Sequence, residues 1–259
     1  MRSNSLPTFW ESMLAVCVRN FLQFRKTWMI SFFWIVLEPL FILAAFGYGL
    51  GSYVPQVAGM SYLEFFFPAL LCNIAMIVAF FECTYANYSK LSTSRFYQTA
   101  LYSPMLPKHL LGGEVLWGGI KAMMSVGSVL LIASLFGAVA SARILFALPV
   151  LFLAACFFAM LGMLITSVVK NSDQIIYPGS GLIIPLSLFS GTYFPLEAMP
   201  KSLQVIAYLS PLTHAVSATR SFQQGSFSAM VVINVAFLIL LLIGLSRVTS
   251  RFFSRRLLE

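Results

Sequence analysis

The sequence predicts an all-α integral membrane protein. It has six transmembrane helices, an N-terminal amphipathic helix on the bilayer surface, and a re-entrant extracytoplasmic segment between spans five and six. Three observations predict this. Hydrophobic residues fill 59% of 259 positions and charged residues only 9%, against about 25% charged in a soluble domain. Six apolar runs, 29–51, 62–85, 112–136, 145–168, 175–196 and 227–247, each reach the roughly 20 residues needed to cross a hydrocarbon core. Basic residues concentrate on one side. With no long soluble insertion, 1–259 reads as one transmembrane domain.

The charge pattern sets the orientation. Arg2, Arg19, Arg25 and Lys26 precede span one; Lys90, Arg95 and Lys108 follow span two; Lys170 follows span four; Arg247, Arg251, Arg255 and Arg256 close the chain. Only Arg143, Lys201 and Arg220 fall on the other face. This is the positive-inside bias, with both termini cytoplasmic. It accounts for the net charge of +8 without a nucleic-acid partner. Cys17, Cys72, Cys83 and Cys156 lack C-x-x-C spacing and read as small buried hydrophobes, not a metal site or disulfide framework. The first apolar run, starting near Met29, is too long for a cleavable signal peptide.

Residues 8–27 place Trp10, Met13, Leu14, Cys17, Phe21 and Phe24 on one helical face and Ser12, Arg19, Gln23 and Lys26 on the other. Such a helix lies on the cytoplasmic leaflet or packs on a partner protein, and the two readings are compatible. Span one carries Glu38-Pro39. Proline frees a carbonyl and favours a kink. A carboxylate at the bilayer centre costs about 2.5–3.5 kcal/mol, so Glu38 should face protein or water. Gly47 and Gly51 form a small-x-x-x-small pair suited to close packing. Span two holds Glu64 near its outer end. Glu82 is expected near the inner headgroups, with a proton-carrying role as the rarer alternative. Gly112-Gly113-Glu114 entering span three lacks the ending and the preceding strand of a phosphate loop. Glu114 and Lys121 are expected to find partners at the cytoplasmic end.

Two connections stand out. The inner loop 86–111 is the longest, with Ser92 or Thr93 available to cap a short helix and Ser103-Pro104 to stop it. That helix either lies on the membrane or docks a cytoplasmic motor through Phe96, Ala100 and Leu101. Residues 190–220 are too polar to span and too aromatic for a loop. Pro195, Pro200 and Pro211 break them into pieces that dip into the membrane and return. Glu197 and Lys201, four residues apart, are expected to pair at the wet rim.

The combination resembles the membrane subunit of type-2 ABC exporters across essentially the whole chain. The carriers are the surface helix, the Arg-containing inner loop ending in Ser-Pro, and "FSGTYFPLEAMP" followed by "LSPLTHAVSATR". Within that family it looks most like the NodJ branch, exporters of lipo-chitooligosaccharide. The likeness lies in "EPLFILAAFGYGLG", "FECTYANYSKL" and "SPMLPKHLLGGEVLWGGIKA"; polysaccharide-exporting permeases share the plan. The resemblance implies a permease of the bacterial cytoplasmic membrane. It works as a dimer with two copies of a cytoplasmic ATP-binding subunit and moves an amphipathic glycolipid, lipo-oligosaccharide or polysaccharide outward. The chain would not itself be an enzyme and would hold no cofactor; ATP and magnesium belong to the partner subunit. Residues 91–103 would be the coupling helix, through Ser94, Arg95, Phe96, Tyr97, Ala100 and Leu101. Residues 190–224 would be the outer gate, built on Gly191, Tyr193, Phe194, Pro195, Glu197, Pro200 and Pro211. Spans one, two and five would line the pathway, with Glu38, Tyr48, Phe66, Glu82, Tyr177 and Phe189 as candidates.

Competing classes fit less well. A secondary transporter needs midplane ionisable groups and usually an internal repeat; only Glu38 qualifies and no repeat is evident. A drug exporter shares the architecture. A membrane-embedded lipid-modifying enzyme needs clustered acid–base groups. His109, expected in a solvated loop, and His214, expected to bond within the re-entrant segment, fall on opposite sides.

Overall fold

Proline shapes the first two spans of the computed structural model, which describes residues 8–258 apart from 55, 58, 138 and 140; Arg2 lies outside them. The chain opens with α1, Phe9–Lys26. Thr8 Oγ1 accepts from the Glu11 amide, and Glu11 Oε2 accepts from the Thr8 amide at 2.7 Å, so two orphan donors of the first turn are satisfied. The next helix, α2 (28–53), alternates ordinary turns with wide π turns at Phe33–Leu37 and Leu43–Leu50. Its apolar stretch Ile35–Tyr53 is long enough to span. Pro39 cannot donate to the Ile35 carbonyl. The Ser125 and Ser128 hydroxyls of the third long helix take that carbonyl instead, at 2.5 and 3.4 Å.

A two-residue hairpin, β1 Gln56–Val57 against β2 Met60–Ser61, leads to α3, which runs from Tyr62 to Ser92 through a π turn at Glu82–Ala86. Ser61 and Glu64 cap its start reciprocally. Pro68 frees the Glu64 carbonyl, and Gln223 Nε2 donates to it at 3.3 Å. Then follow α4 (Phe96–Leu101), α5 (Pro107–Leu135), and α6, which runs from Ala142 to Val168 after a 3-10 start. Residues 172–189 form α7, a chain of short pieces: Ser172–Ile175, Ile176–Pro178, Gly179–Ile183 and Ile184–Phe189. Two short helices, α8 (Lys201–Leu209) and α9 (Pro211–Gln224), precede the last, α10 (Ala229–Leu258).

Among the described residues, five helices are long and apolar enough to cross a membrane. The sixth expected run, 175–196, is α7: Pro178, Pro185 and the glycines between them break its hydrogen-bond ladder, and it ends at Phe189. Other expected bounds move outward. Span two continues to Ser92, span three begins at Pro107, and the last helix runs on to Leu258. These extensions carry the polar residues that the apolar runs omit.

The core is α3 enclosed by α5, α6 and α9, with α10 against α6 and α1 against α5. Phe66, Leu70, Leu71, Met76 and Phe80 of α3 are completely buried. Without a hydrophobic drive between lipid-soluble helices, close approach of small residues does the joining. A Cβ on Gly162 would lie 2.8 Å from the Phe80 carbonyl oxygen, and one on Gly113 2.6 Å from Val16 Cβ. Gly47 packs on Leu63 in the same manner, a Cβ there lying 2.9 Å from it, whereas Gly51 has room for a Cβ beside Tyr62 at 3.7 Å.

Gly162→Ala should therefore lower stability by about 1–3 kcal/mol. Gly127→Ala, where an added Cβ meets nothing within 4 Å, should be neutral or stabilising by up to about 1 kcal/mol. Thermal unfolding of the two variants in detergent checks the contrast.

Candidate functional site

The short helix α4 hangs beneath the bundle, and its burial pattern divides it. Arg95 precedes it in left-handed conformation (φ 48°), a position uncommon for a side chain with a Cβ. The turn aims Tyr97 inward, where it is 0% exposed with its ring edge-on to Phe253 of α10 at 5.4 Å. Phe96 is half-buried, with the Arg19 guanidinium of α1 3.6 Å above its ring. Ser94, Arg95, Gln98 and Thr99 face outward, and Tyr102 is 92% exposed.

The expected contact face is thus corrected. Tyr97 is a buried anchor, Phe96, Ala100 and Leu101 are half-covered, and the helix is Phe96–Leu101 within the expected 91–103. Ser92 ends α3 rather than capping α4. The exposed residues are instead Gln98, Thr99 and Tyr102, because the sequence marks amphipathicity but not which face α10 covers.

A buried charge cluster supports α4. Glu114 of α5 is 0% exposed. Its Oε2 accepts from Lys90 Nζ at 2.6 Å and from Asn20 Nδ2 of α1 at 2.8 Å. Lys90 also donates to Asn87 Oδ1 at 2.7 Å, and Asn87 Nδ2 approaches the Met163 sulfur of α6 at 2.9 Å. One carboxylate thereby joins four helices. The Tyr97 hydroxyl and Glu114 Oε1 are both buried without a hydrogen-bond partner. Burial holds the Tyr97 phenol well above its ordinary range, so it stays neutral.

A second pair lies alongside. Lys121 Nζ donates to Glu82 Oε2 at 2.6 Å, and Trp117 Nε1 to Glu82 Oε1 at 2.8 Å. Glu82, expected near the inner headgroups with proton carriage as the rarer alternative, is thus paired with Lys121 and Trp117. Opposite charges at the adjoining ends of spans two and three were the sequence signal for both pairs. His109 is not in a solvated loop. It is buried in the first turn of α5, where its Nδ1 accepts from the Leu106 amide.

At the opposite end, 190–224 is broken where the prolines predict. Pro195 precedes a 3-10 turn at Leu196–Ala198, Pro200 caps α8 and Pro211 opens α9. Gly191 turns the chain at φ 74°, and its carbonyl accepts from Arg220 Nη2 at 2.7 Å. Arg220 also donates to the Phe65 carbonyl of α3 through Nε and Nη2, and stacks over the Phe65 ring at 3.7 Å. Tyr62 donates to the Tyr193 carbonyl at 3.1 Å, and Tyr193 sits among Phe46 and Phe66. Phe194 and Glu197 are exposed. The expected Glu197–Lys201 pair does not form: the described residues hold two ion pairs, both at the other end. His214 bonds Tyr208 O and, in α10, Asn234 Oδ1.

The pathway candidates are not brought together. Phe66 is fully buried, stacked on Tyr62. Tyr48 donates to the Phe136 carbonyl at 3.3 Å. Tyr177 and Phe189 are exposed on α7. Glu38, half-buried, lines an open apolar groove with Phe33, Leu37, Phe41 and Phe46.

Apolar helices bundled about paired buried charges, with one helix on the surface, define a multi-pass membrane protein. The chain belongs to the ABC-2 type transporter family, whose pattern matches residues 11–224, and so is the permease subunit of an ABC exporter, a class that works with a cytoplasmic ATP-binding subunit. It is similar to "Nodulation protein J" of Rhizobium leguminosarum bv. viciae, 29% identical over 255 residues and 98% of each chain. It is also similar to "Nodulation protein J" of Sinorhizobium fredii, 30% identical over 83% of this chain and 82% of that one. "Inner membrane transport permease YadH" of Escherichia coli is 23% identical over 88% of this chain and 92% of its own. No solved structure matches significantly.

Lys90→Met strands the Glu114 charge and should cost about 3–5 kcal/mol, whereas Lys90→Met with Glu114→Leu should recover most of it. Unfolding of both variants in detergent measures the difference.

Proposed function

We propose that this permease exports an amphipathic glycolipid or lipo-oligosaccharide from the cytoplasmic side of a bacterial inner membrane. Two copies of the chain and two ATP-binding subunits form the transporter, and ATP and magnesium bind on the latter. Each copy contributes six spans, α7 being the fifth, with both termini cytoplasmic. The observation that carries this reading is the exposed face of α4 standing on the Glu114 cluster. A helix whose inner side is fixed to α1 and α10, and whose outer side is polar and bare, is built to receive force. ATP binding draws the two ATPase subunits together. The α4 helices move with them, and the bundle rocks about the seam between the two permeases. The outer segment 190–224 closes the far end. An amphipathic substrate fits the apolar, aromatic lining of α2 and α7, where Glu38 meets the seam and not lipid. The likeness to the nodulation proteins favours a lipo-oligosaccharide over a long polysaccharide.

Arg95→Glu combined with Tyr102→Ala should abolish export and the copurification of an ATP-binding subunit, while the permease inserts and unfolds as the parent does. Export at the parental rate by this variant refutes α4 as the coupling surface. Retained export in the absence of any ATP-binding subunit points instead to an ion-coupled carrier.

A further inference from the structure

A polar cavity of about 270 Å³ lies between the second half of α1, the start of α2, the inner end of α3 and α5. Its walls carry Arg19, Lys90, Lys121 and Glu82, with hydroxyls from Ser31, Ser89 and Ser94. Phe24 and Trp117 also line it, their rings 6.0 Å apart and edge-on.

The charges do not balance. Lys90 is matched by Glu114 and Lys121 by Glu82. Arg19 has no carboxylate within ion-pair distance among the described residues; it donates to Asn20 Oδ1 and lies over the Phe96 ring. With Glu114 counted behind Lys90, the cavity and its ion pairs carry one net positive charge, that of Arg19. A half-buried guanidinium keeps four further N–H donors, which are available to an anion that enters the cavity. The cavity sits at the depth of α1, whose Trp10, Leu14, Val18 and Leu22 form an exposed apolar row. Such a helix rides at the boundary of headgroups and acyl chains. The abundant anion at that depth is the lipid phosphodiester, and basic pockets between helices near a membrane face hold anionic headgroups.

We propose that this cavity is a binding site for the phosphodiester headgroup of an anionic membrane phospholipid. Arg19 contacts the phosphate through its free guanidinium edge, and Ser31 and Ser89 hydroxyls complete the contact. The site is too small for a glycan, so it is separate from the transport route. Its position gives it an effect. The guanidinium that meets the phosphate is the one lying on Phe96 of α4, and Ser94, on the cavity wall, lies two residues before that helix. A bound lipid ties α1, α3 and α4 together, and its loss leaves α4 less firmly held.

The test uses the permease with its ATP-binding subunit in nanodiscs of phosphatidylcholine containing a minor fraction of phosphatidylglycerol. Native mass spectrometry reads the lipid retained after stringent delipidation. The parent should retain phosphatidylglycerol over phosphatidylcholine. Arg19→Gln should lower that retention roughly tenfold or more, as expected for losing a charged hydrogen-bond donor. Ser31→Leu, which fills the cavity and leaves Arg19 and Phe96 in contact, should lower it equally and guards against a folding defect in the first variant. Arg25→Gln, the same charge change at the exposed end of α1 outside the cavity, should leave retention unchanged. Equal retention by the parent, Arg19→Gln and Ser31→Leu overturns the site. If inorganic phosphate displaces the lipid at millimolar concentration and supports the same ATPase rate in pure phosphatidylcholine, the site takes the free anion and the lipid assignment falls. Retention does not depend on export, so failure here leaves the transport reading standing, and the converse holds.

Discussion

The Lys90–Glu114 ion pair is the interaction on which the α1 end of the molecule depends. Two opposite charges are removed from water and placed between four helices. Taken singly each is expensive, and together they roughly break even. What the pair adds is register. Asn20 must face Glu114 for α1 to lie where it does, and Lys90 must point inward for α3 to continue past the apolar run. Asn87 and Met163 then bring in α6. Because α4 follows directly on this extension of α3, its position is inherited from the pair. Tyr97 and Phe253 fix it from the other side.

The same rule, that no polar group be left unpaired away from water, organises the other end by different means. Prolines free carbonyls in α2 and α3, and neighbouring side chains collect them: Ser125 for Ile35, Gln223 for Glu64. Arg220 adds two bonds to Phe65 O and another to Gly191 O. The outer segment is thus attached through main-chain oxygens, not through opposite charges. Such bonds leave the carbonyls with alternative donors, including water, when the segment shifts.

Much of this was legible in the sequence. The apolar runs located five helices long enough to span because hydrocarbon demands length and apolarity and little else. The three prolines of 190–211 located the breaks because they lack a donor. Charge asymmetry suggested where Glu114 and Lys121 would find partners. What stayed hidden depended on neighbours far along the chain. Nothing near Tyr97 says that α10 will extend far enough to cover it with Phe253, so an anchor read as a contact residue. Nothing near Glu197 says that Lys201 will open a helix and point elsewhere. In α7, apolarity was visible, but the cumulative effect of Pro178, Pro185 and the glycines on helix continuity was not.

The close approach at Gly162 has a mechanical corollary. Where the backbone of α3 is separated from α6 by only a hydrogen atom's width, the two cannot slide or bend independently, and they behave as a stiff slab. Compliance must then reside in α2 and α7, whose π turns and prolines, unlike Pro68 and the π turn of α3, are not enclosed by neighbouring helices. A substituent that stiffened those wide turns would leave the slab and the α4 face intact while removing the parts of the molecule that yield.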